Sequence, residues 1–520
     1  MQDRDTSAVW NAIRSRATWT AAWTGARWSG ATWSGAKDPL SLAWACGAAV
    51  LVGLAAFGAW VSPKFGYDHA VIDTPALTLA AGLCAAGFLF ALAVPALVRR
   101  TQTSAPDLQR AALMVMIAGG LAARLVLLPS EPMLEDDYQR YLWDGAVTAS
   151  GLNPYAASPR QATRAPLGSH LRSLAADSGV IMERLGHPTL KTIYPPVAQA
   201  AFALAYALKP WSLVAWRLVL LACDLTVLGL LIALLGDVGR APVWAALYWW
   251  NPLVIKEVFN SGHMEALVMA LVLLAVLLGV RRRPVAAVTA LAFAVGAKVW
   301  PILLLPLVAR PLMQDWRRLA VALAVITGLT ALWAWPIWSG GLDETSGFVA
   351  YATKWQTNSA LFPALERLLA AMAGMLGQAP EWGGRVVRAG LAIGIGGLAL
   401  WLARHPAEDA ADLVRRAAIV SAALVFLSPA QYPWYAIWFL PFLPFLPLRA
   451  FLVLTATLPL YYAFFHFNAR GHPEIFRGWI VWAIWIPAWM ALAMDLRDGW
   501  GERVRPGGAA RSGSTQAQSA

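Results

Sequence analysis

The sequence predicts an all-α fold, a polytopic transmembrane bundle of about 12–14 membrane helices, some of them short or re-entrant. Of its 520 residues, 59% are hydrophobic and only 13% are charged, and the mean hydropathy is +0.54. A soluble protein needs more polar surface than this composition supplies. The 28 Trp and 12 Tyr fit aromatic belts at both membrane interfaces.

Arg and Lys occur in short clusters between the apolar runs, which is the pattern of membrane orientation signals. The net charge of +12 is therefore explained without nucleic acid, which we exclude as a partner. If each cluster is cytoplasmic, the chain is a multi-pass membrane protein in which most spans have a consistent orientation. Its spans are then predicted near 40–60, 75–98, 111–129, 211–236, 241–259, 263–280, 318–338, 385–403, 413–428, 433–448, 450–466 and 478–495.

Two further apolar segments do not fit the alternation of faces. Residues 196–209 are too short to span the membrane comfortably, and residues 284–309 lie between two basic clusters. Each is predicted to be a short or re-entrant helix, which membranes tolerate where it packs in protein or lines a wet cavity. An ordinary pair of short spans remains the alternative for both.

The sequence divides into one membrane domain and two tails. Residues 1–37 are predicted to be a cytoplasmic Trp-rich tail lying on the inner leaflet, with a docking motif as the alternative. Residues 38–496 form the membrane domain, whose loops 130–195 and 339–384 are predicted to be extracytoplasmic and the first of them helical. Residues 497–520 are predicted to be a disordered cytoplasmic tail.

With the basic clusters inside, the unusual polar segments collect on the outer face, whereas random loops would use both faces. The densest of them is "LEDDYQRYLWDG". In a helix Asp137, Tyr141 and Asp144 would share one face, and Asp136 would pair with Arg140. A carboxylate there can act as a general base, ligate a divalent metal or complement a helix dipole. The convergence on one face favours a functional site over a dipole effect.

Other outer segments offer candidate substrate contacts. Tyr194 precedes a Pro-Pro turn that fixes its direction, although a simple interfacial tyrosine is equally consistent. His263 and Glu265 open a predicted span, but their spacing is not that of a zinc motif. No metal-ligating residue is assigned, while a divalent cation, Mg²⁺ or Mn²⁺, stays open as a cofactor.

Two segments suggest an anionic or sugar ligand. Lys298 lies deep in an apolar run, where an unpaired ammonium is costly, so a phosphate partner is predicted. Snorkelling to the interface is its alternative. Lys354 and Gln356 stand beside aromatic rings, and such rings suit sugars and cations. The sequence has no Walker loop and no GxGxxG motif, so an activated donor on the outer face would have to arrive on a lipid.

The ordered series "EDDYQRYLWDG…GLNPY", "YPPVAQ", "WNPLVIKEVFNSGHMEAL", "GAKVWPILLLP" and "SPAQYPWY" resembles the GT-C superfamily of integral-membrane glycosyltransferases. It is most similar to the bacterial polyprenyl-phosphate-mannose-dependent mannosyltransferases. The resemblance covers residues 110–450 in consistent order.

The resemblance implies a multi-pass protein of the bacterial inner (plasma) membrane, surrounded by membrane lipids. It further implies an inverting hexosyltransferase that takes mannose from a polyprenyl phosphate. The acceptor would be a hydroxyl of a lipid-linked or cell-envelope glycan on the extracytoplasmic face. It implies Asp137, with Asp136 beside it, as the catalytic residue that acts as general base or binds the acceptor. Two alternatives stay open, a lipid-linked sugar flippase or transporter and an O-antigen ligase or polymerase. The predicted substrate-binding residues are Arg140, Tyr141, Asp144, Tyr194, His263, Lys298, Lys354 and Gln356.

Overall fold

The computed structural model describes residues 38–375, 377 and 381–498. Helices make up nearly all of this region, and its one β-type contact is an isolated bridge between Thr357 and Ala430. The predicted all-α membrane fold is confirmed. The Trp-rich segment 1–37 and residues 499–520 lie outside the described residues.

Fourteen helices carry the architecture. They are α1 (Pro39–Val61), α2 (Ala76–Thr101), α3 (Pro106–Leu127), α4 (Asp137–Ala149), α5 (Pro196–Leu208), α6 (Leu213–Val238), α7 (Glu265–Val280), α8 (Pro284–Ala297), α9 (Trp316–Ser339), α10 (Leu361–Met375), α11 (Glu381–Ala403), α12 (Ala410–Leu427), α13 (Arg449–Thr457) and α14 (Val481–Arg497).

Shorter turns connect them. The α-helical ones are Pro159–Ala162, His170–Asp177, Val180–Arg184, Ala246–Trp249, Pro252–Ile255, Leu305–Ala309, Gly347–Lys354, Ala463–Ala469 and Pro473–Ile475. The 3₁₀ turns are Ser62–Phe65, Val71–Asp73, Pro242–Ala245, Trp300–Leu304, Arg310–Gln314, Pro433–Trp438, Leu440–Phe442 and Leu458–Tyr462. Two π-helical turns occupy Lys256–Asn260 and Phe476–Ile480.

Within the described ranges, 8 helices are long and apolar enough to cross a membrane. The number is 9 if the bent pair Pro252–Asn260 and Glu265–Val280 forms one broken span. Both counts are lower than the predicted 12–14 helices. The two segments predicted to be short or re-entrant, 196–209 and 284–309, contain the short apolar helices α5 and α8.

The predicted span at 433–448 is wrong. This segment forms 3₁₀ turns, Pro433–Trp438 and Leu440–Phe442, instead of an α-helix. Prolines recur in it at 433, 441, 444 and 447, and each lacks the N–H that an α-helix needs and clashes with the preceding turn. The segment is nevertheless almost entirely buried, so its apolar character reflects burial in protein rather than contact with lipid.

A sharp break interrupts the chain between Asn260 and Glu265. The two helical pieces meet at 120°, and Gly262 has φ +80°, a left-handed conformation that favours glycine. The indole of Trp216 donates a 2.7 Å hydrogen bond to the carbonyl of Gly262. Irregular backbone inside a membrane protein is tolerated where protein groups satisfy its polar atoms, and this break positions the side chain of His263.

Helix α4 is held against α5. The ring of Tyr141 stacks on Phe202 at 4.7 Å, and Gly145 lies so close to the carbonyl of Phe202 that a Cβ would come within 2.4 Å of that oxygen. Asp144 accepts a 2.5 Å hydrogen bond from Thr192, in the segment that leads into α5. These contacts fix the acidic residues at the start of α4 relative to the membrane helices.

Candidate active site

A cavity of about 770 Å³ lies beside the start of α4. Its wall combines segments that are far apart in the sequence, and three kinds of side chain share it. The carboxylates are Glu131, Glu135, Asp136 and Asp137; the basic groups include Arg140, His187, Lys191 and Lys298; the aromatic rings include Tyr351, Trp355, Tyr432, Trp434, Tyr435 and Trp438. Carboxylates, basic groups and aromatic rings from distant segments thus meet at one cavity, whereas the predicted polar segments 259–266 and 466–476 do not line it.

Asp137 lies in the first turn of α4 and faces this cavity. Its side chain is 38% exposed. Burial, together with the neighbouring carboxylates of Asp136 and Glu135, raises the pKa of Asp137 to about 8 against the opposing effect of Lys298. A pKa near neutral pH suits a carboxylate that has to accept a proton during a reaction.

Glu135 precedes Asp137 and lies deeper. Its side chain is nearly buried, and its Oε1 accepts a 2.8 Å hydrogen bond from the hydroxyl of Tyr462. Burial outweighs the opposing effect of the Lys256 ammonium, 3.8 Å away, and raises the pKa of Glu135 to about 7. No separate role was predicted for this glutamate from the sequence.

His263 stands between the carboxylates. Its Nε2 lies 3.5 Å from Glu135 Oε2 and 3.6 Å from Glu257 Oε2, and its Nδ1 lies 3.7 Å from Asp137 Oδ2. The ring is fully buried and stacks on Trp434 with ring centroids 3.8 Å apart. His263 therefore lies among the carboxylates beside the cavity and does not line the cavity itself.

Lys256, Glu257 and Tyr462 were missed by sequence reasoning. The ammonium of Lys256 lies 3.5 Å from Glu257 Oε1 and hydrogen-bonds the hydroxyl of Tyr462. That hydroxyl also lies 2.8 Å from Glu257 Oε1, so Glu257 and Glu135 share its single proton. A Lys-Glu pair inside an apolar segment is costly in a membrane and marks a functional candidate, so this signal was present in the sequence.

Lys298 follows the last residue of α8 and lines the cavity. Its Nζ donates a 2.5 Å hydrogen bond to Glu265 and lies 4.8 Å above the ring centroid of Tyr435. Only 20% of its side chain is exposed. The ammonium is therefore paired and held at the cavity wall instead of snorkelling along a helix.

The residues predicted on α4 divide into two groups. Arg140 and Tyr141 line the cavity together with Tyr194, and the rings of Tyr141 and Tyr194 meet edge to face at 5.1 Å. The carboxylate of Asp144 does not reach the cavity. It is buried and accepts hydrogen bonds from Thr192 and Gln199. Two turns of helix separate it from Asp137 and place it in the contact between α4 and α5. Asp144 is thus placed to position neighbouring residues rather than to touch a ligand.

Lys354 and Gln356 do not line the cavity either, and both are exposed. Their neighbours Tyr351 and Trp355 form that part of the wall. Tyr351 and Trp355 are four residues apart and so turn to the same side. Their polar atoms contact Tyr435 at 2.9 Å and Tyr432 at 3.1 Å, respectively. The aromatic residues Tyr351 and Trp355 of this segment therefore line the cavity, whereas the predicted contacts Lys354 and Gln356 lie outside it.

The match to a known family covers part of these elements. Residues 192–429 match the model of glycosyltransferase family 87. The matched range includes Lys256, Glu257, His263 and Lys298, while the acidic stretch 135–137 precedes it. Comparison with curated proteins and with solved structures gives no significant match. The resemblance to membrane glycosyltransferases is confirmed, and the chain is indicated to be a glycosyltransferase in a multi-pass membrane protein.

Proposed function

We propose that this glycosyltransferase moves the hexose mannose from a polyprenyl-phosphate donor to an acceptor hydroxyl of a lipid-linked or cell-envelope glycan. The transfer inverts the configuration at the anomeric carbon. The observation that carries the proposal is the position of Asp137, a partly exposed carboxylate in a cavity that also holds a paired lysine and a wall of aromatic rings. The choice of mannose and of a polyprenyl carrier rests on the resemblance described above.

In the proposed reaction Asp137 acts as general base. It removes the proton of the acceptor hydroxyl while that oxygen forms a bond to the anomeric carbon. The bond from the anomeric carbon to the phosphate oxygen breaks, and polyprenyl phosphate leaves with the bonding electrons. Because the acceptor attacks the face opposite the leaving phosphate, the configuration at the anomeric carbon inverts.

Lys298 is the proposed contact of the donor phosphate. An ammonium has three N–H donors, and the contact with Glu265 occupies one of them. The others are available to phosphate oxygens, whose negative charge grows as the bond to the sugar breaks. The nearby rings of Tyr435 and Trp438 fix the direction of the side chain.

The aromatic wall offers surfaces for the sugar and the lipid. Tyr432 stacks on Trp434 at 4.3 Å and lines the cavity, where it offers a ring of the kind that packs against a sugar. The wall continues into Phe464 and Phe465, which belong to the candidate span Arg449–Ala469. A donor bound there could keep its isoprenoid tail in the bilayer while its phosphate reaches Lys298.

The proposed site is extracytoplasmic. The backbone N–H of Lys191 donates to the carbonyl of Thr345 at 2.8 Å, and the side-chain ammonium of Lys191 pairs with Asp343 at 2.7 Å. These contacts support placing loops 130–195 and 339–384 on one face.

Reporter fusions at Arg100, Arg282 and Arg416 should report the cytoplasm, and fusions at Gly168 and Glu344 should report the outside. Opposite locations for Gly168 and Glu344 would refute a shared site.

The function is tested by transfer with purified protein in lipid nanodiscs. Polyprenyl-phosphate-mannose carrying a radiolabelled sugar should give a labelled glycolipid with the inverted linkage. Transfer only from an oligosaccharide on a pyrophosphate carrier would instead identify a ligase or polymerase. Movement of the donor between leaflets without any transfer would identify a flippase.

Lys298→Met should raise the KM for the donor about tenfold or more, since a charge-assisted contact to phosphate contributes about 1.5–3 kcal/mol. Methionine keeps much of the apolar side chain and removes the charge. Lys354→Met is the matched control, because Lys354 is exposed outside the cavity wall, and its KM should stay unchanged. A folded Lys298→Met protein with the wild-type KM would remove the phosphate role.

A further inference from the structure

Three metal-ligating side chains converge beneath the cavity, from two distant parts of the chain. Atoms of Glu135, Glu257 and His263 all lie within 4.8 Å of one another. The Nε2 of His263 is 3.5 Å from one carboxylate and 3.6 Å from the other. An ion about 2.0–2.2 Å from each ligand, the usual bond length for imidazole and carboxylate, fits between atoms at these separations.

His263 provides an independent observation. The ring is 0% exposed, and neither nitrogen has a hydrogen-bond partner within the described part of the chain. A buried polar group without a partner costs free energy and calls for an explanation. Its Nε2 is directed at two carboxylate oxygens, and an ion bound between them would satisfy all three groups. We propose that Glu135, Glu257 and His263 bind a divalent transition-metal cation.

The nearby ammonium of Lys256 is compatible with a metal because it uses different oxygens. Lys256 lies 3.8 Å from Oε1 of Glu135 and 3.5 Å from Oε1 of Glu257. The imidazole of His263 faces Oε2 of both residues. Each carboxylate can therefore serve the lysine with one oxygen and the metal with the other.

Asp137 completes the arrangement on the far side of the imidazole. With Nε2 bound to metal, Nδ1 carries the proton and faces Oδ2 of Asp137 at 3.7 Å. A carboxylate behind a metal-bound histidine is a recurrent arrangement that fixes the tautomer and the ring orientation. The stacking of Trp434 on the ring restricts the same motion.

The ligand chemistry selects among cations. One imidazole and two carboxylates suit Mn²⁺ or Zn²⁺, whereas Mg²⁺ and Ca²⁺ prefer all-oxygen surroundings. Glu135 also lines the cavity, so a coordination position left open by the protein can be taken by water or a substrate oxygen. Metal binding as inferred here does not depend on the proposed mannosyl transfer.

The test uses full-length protein in nanodiscs, stripped with a chelator and titrated with Mn²⁺ under electron paramagnetic resonance. We expect one Mn²⁺ per chain, displaced by Zn²⁺ and not by an equal concentration of Mg²⁺. A nitrogen coupling to the bound Mn²⁺ should identify the imidazole. Failure of the wild-type protein to bind Mn²⁺, or binding without a nitrogen coupling, would overturn the inference even if mannosyl transfer is observed.

Variants assign the ligands. His263→Asn and Glu257→Gln should each weaken Mn²⁺ binding by about 100-fold or more, beyond the range that loss of an outer contact causes. Glu265→Gln is the matched control, since Glu265 is also buried at the same break but pairs with Lys298, and it should bind Mn²⁺ as the wild type does. Unchanged affinity in both ligand variants would refute the site. If a variant does not fold, the nitrogen coupling in the wild-type protein still decides.

Discussion

Asp137→Asn should lower the rate of glycosyl transfer by about two to four orders of magnitude, the contribution typical of a positioned general base. An acceptor hydroxyl is a weak nucleophile near neutral pH, and asparagine cannot take its proton. The substitution keeps the volume of the side chain, so folding should survive. Donor binding should be largely intact, because the proposed phosphate contact, Lys298, belongs to another segment. Single-turnover rates and a separate donor-binding titration measure the two effects.

Asp136→Asn is the matched control for this prediction. Asp136 is exposed and packs against Gly186 at the cavity wall, so its loss should cost less than that of Asp137. A larger loss in Asp136→Asn than in Asp137→Asn would make Asp136 the base. Near wild-type transfer in both single variants and in the double variant would exclude a catalytic role for this stretch.

The assignment of the base to Asp137 instead of His263 follows from access. Both ring nitrogens of His263 are buried, and carboxylates already stand on both sides of the ring. An acceptor hydroxyl could not approach the imidazole without displacing one of them. The side chain of Asp137 is 38% exposed and lines the cavity, so an acceptor can reach its carboxylate from that side.

The membrane fold and the acidic half of the site could be predicted because they depend on local signals. Composition indicates spans, and the turn of α4 brings Asp137 to the cavity together with Tyr141. The same periodicity predicted that Asp144 would contact the substrate as well, but Asp144 does not line the cavity. A periodic pattern gives the face of a helix but not how far along that face a cavity extends.

The other half of the site depends on tertiary packing. Lys256, Glu257 and His263 reach Glu135 because a π-helical turn and a 120° break redirect the chain, and no hydrophobic period reports such a break. Tyr462 comes from a segment more than 300 residues after Glu135. A single sequence indicates that buried charges need partners, but it does not say which distant segment supplies them.

A second ionic cluster lies in the helix bundle, away from the cavity wall. The Nε of Arg124 donates to Asp224 Oδ2 at 2.6 Å, and both side chains are fully buried. The guanidinium also donates to the carbonyls of Gly120 and Trp249, at 2.9 and 2.8 Å, and stacks on the Trp249 ring at 3.4 Å. Tyr248 donates to the other oxygen of Asp224 at 2.5 Å. These contacts join α3, α6 and the segment after α6.

Asp224→Leu should therefore be among the most destabilising single substitutions in this protein. It leaves the guanidinium of Arg124 buried without a counter-ion, and breaking a buried pair in this way costs about 3–5 kcal/mol. Leucine cannot accept the hydrogen bond of Tyr248, which adds to the loss. Unfolding in mixed micelles with increasing dodecyl sulfate measures the free energy of unfolding, and the temperature at which the monodisperse protein is lost gives a second reading.

The double variant Arg124→Met with Asp224→Leu separates the cost of an unpaired charge from that of lost packing. With both charges removed, the loss should be clearly smaller than in Asp224→Leu alone, because replacing a buried pair by apolar groups is often close to neutral. Some loss should persist, since Tyr248 stays without its acceptor. Asp107→Asn is the surface control, because the pair of Asp107 with Arg110 is exposed and such pairs contribute little. If Asp224→Leu unfolds no more readily than Asp107→Asn, the buried pair does not stabilise the bundle. If the double variant is no more stable than Asp224→Leu, lost packing and hydrogen bonds account for the loss, and the unpaired charge does not.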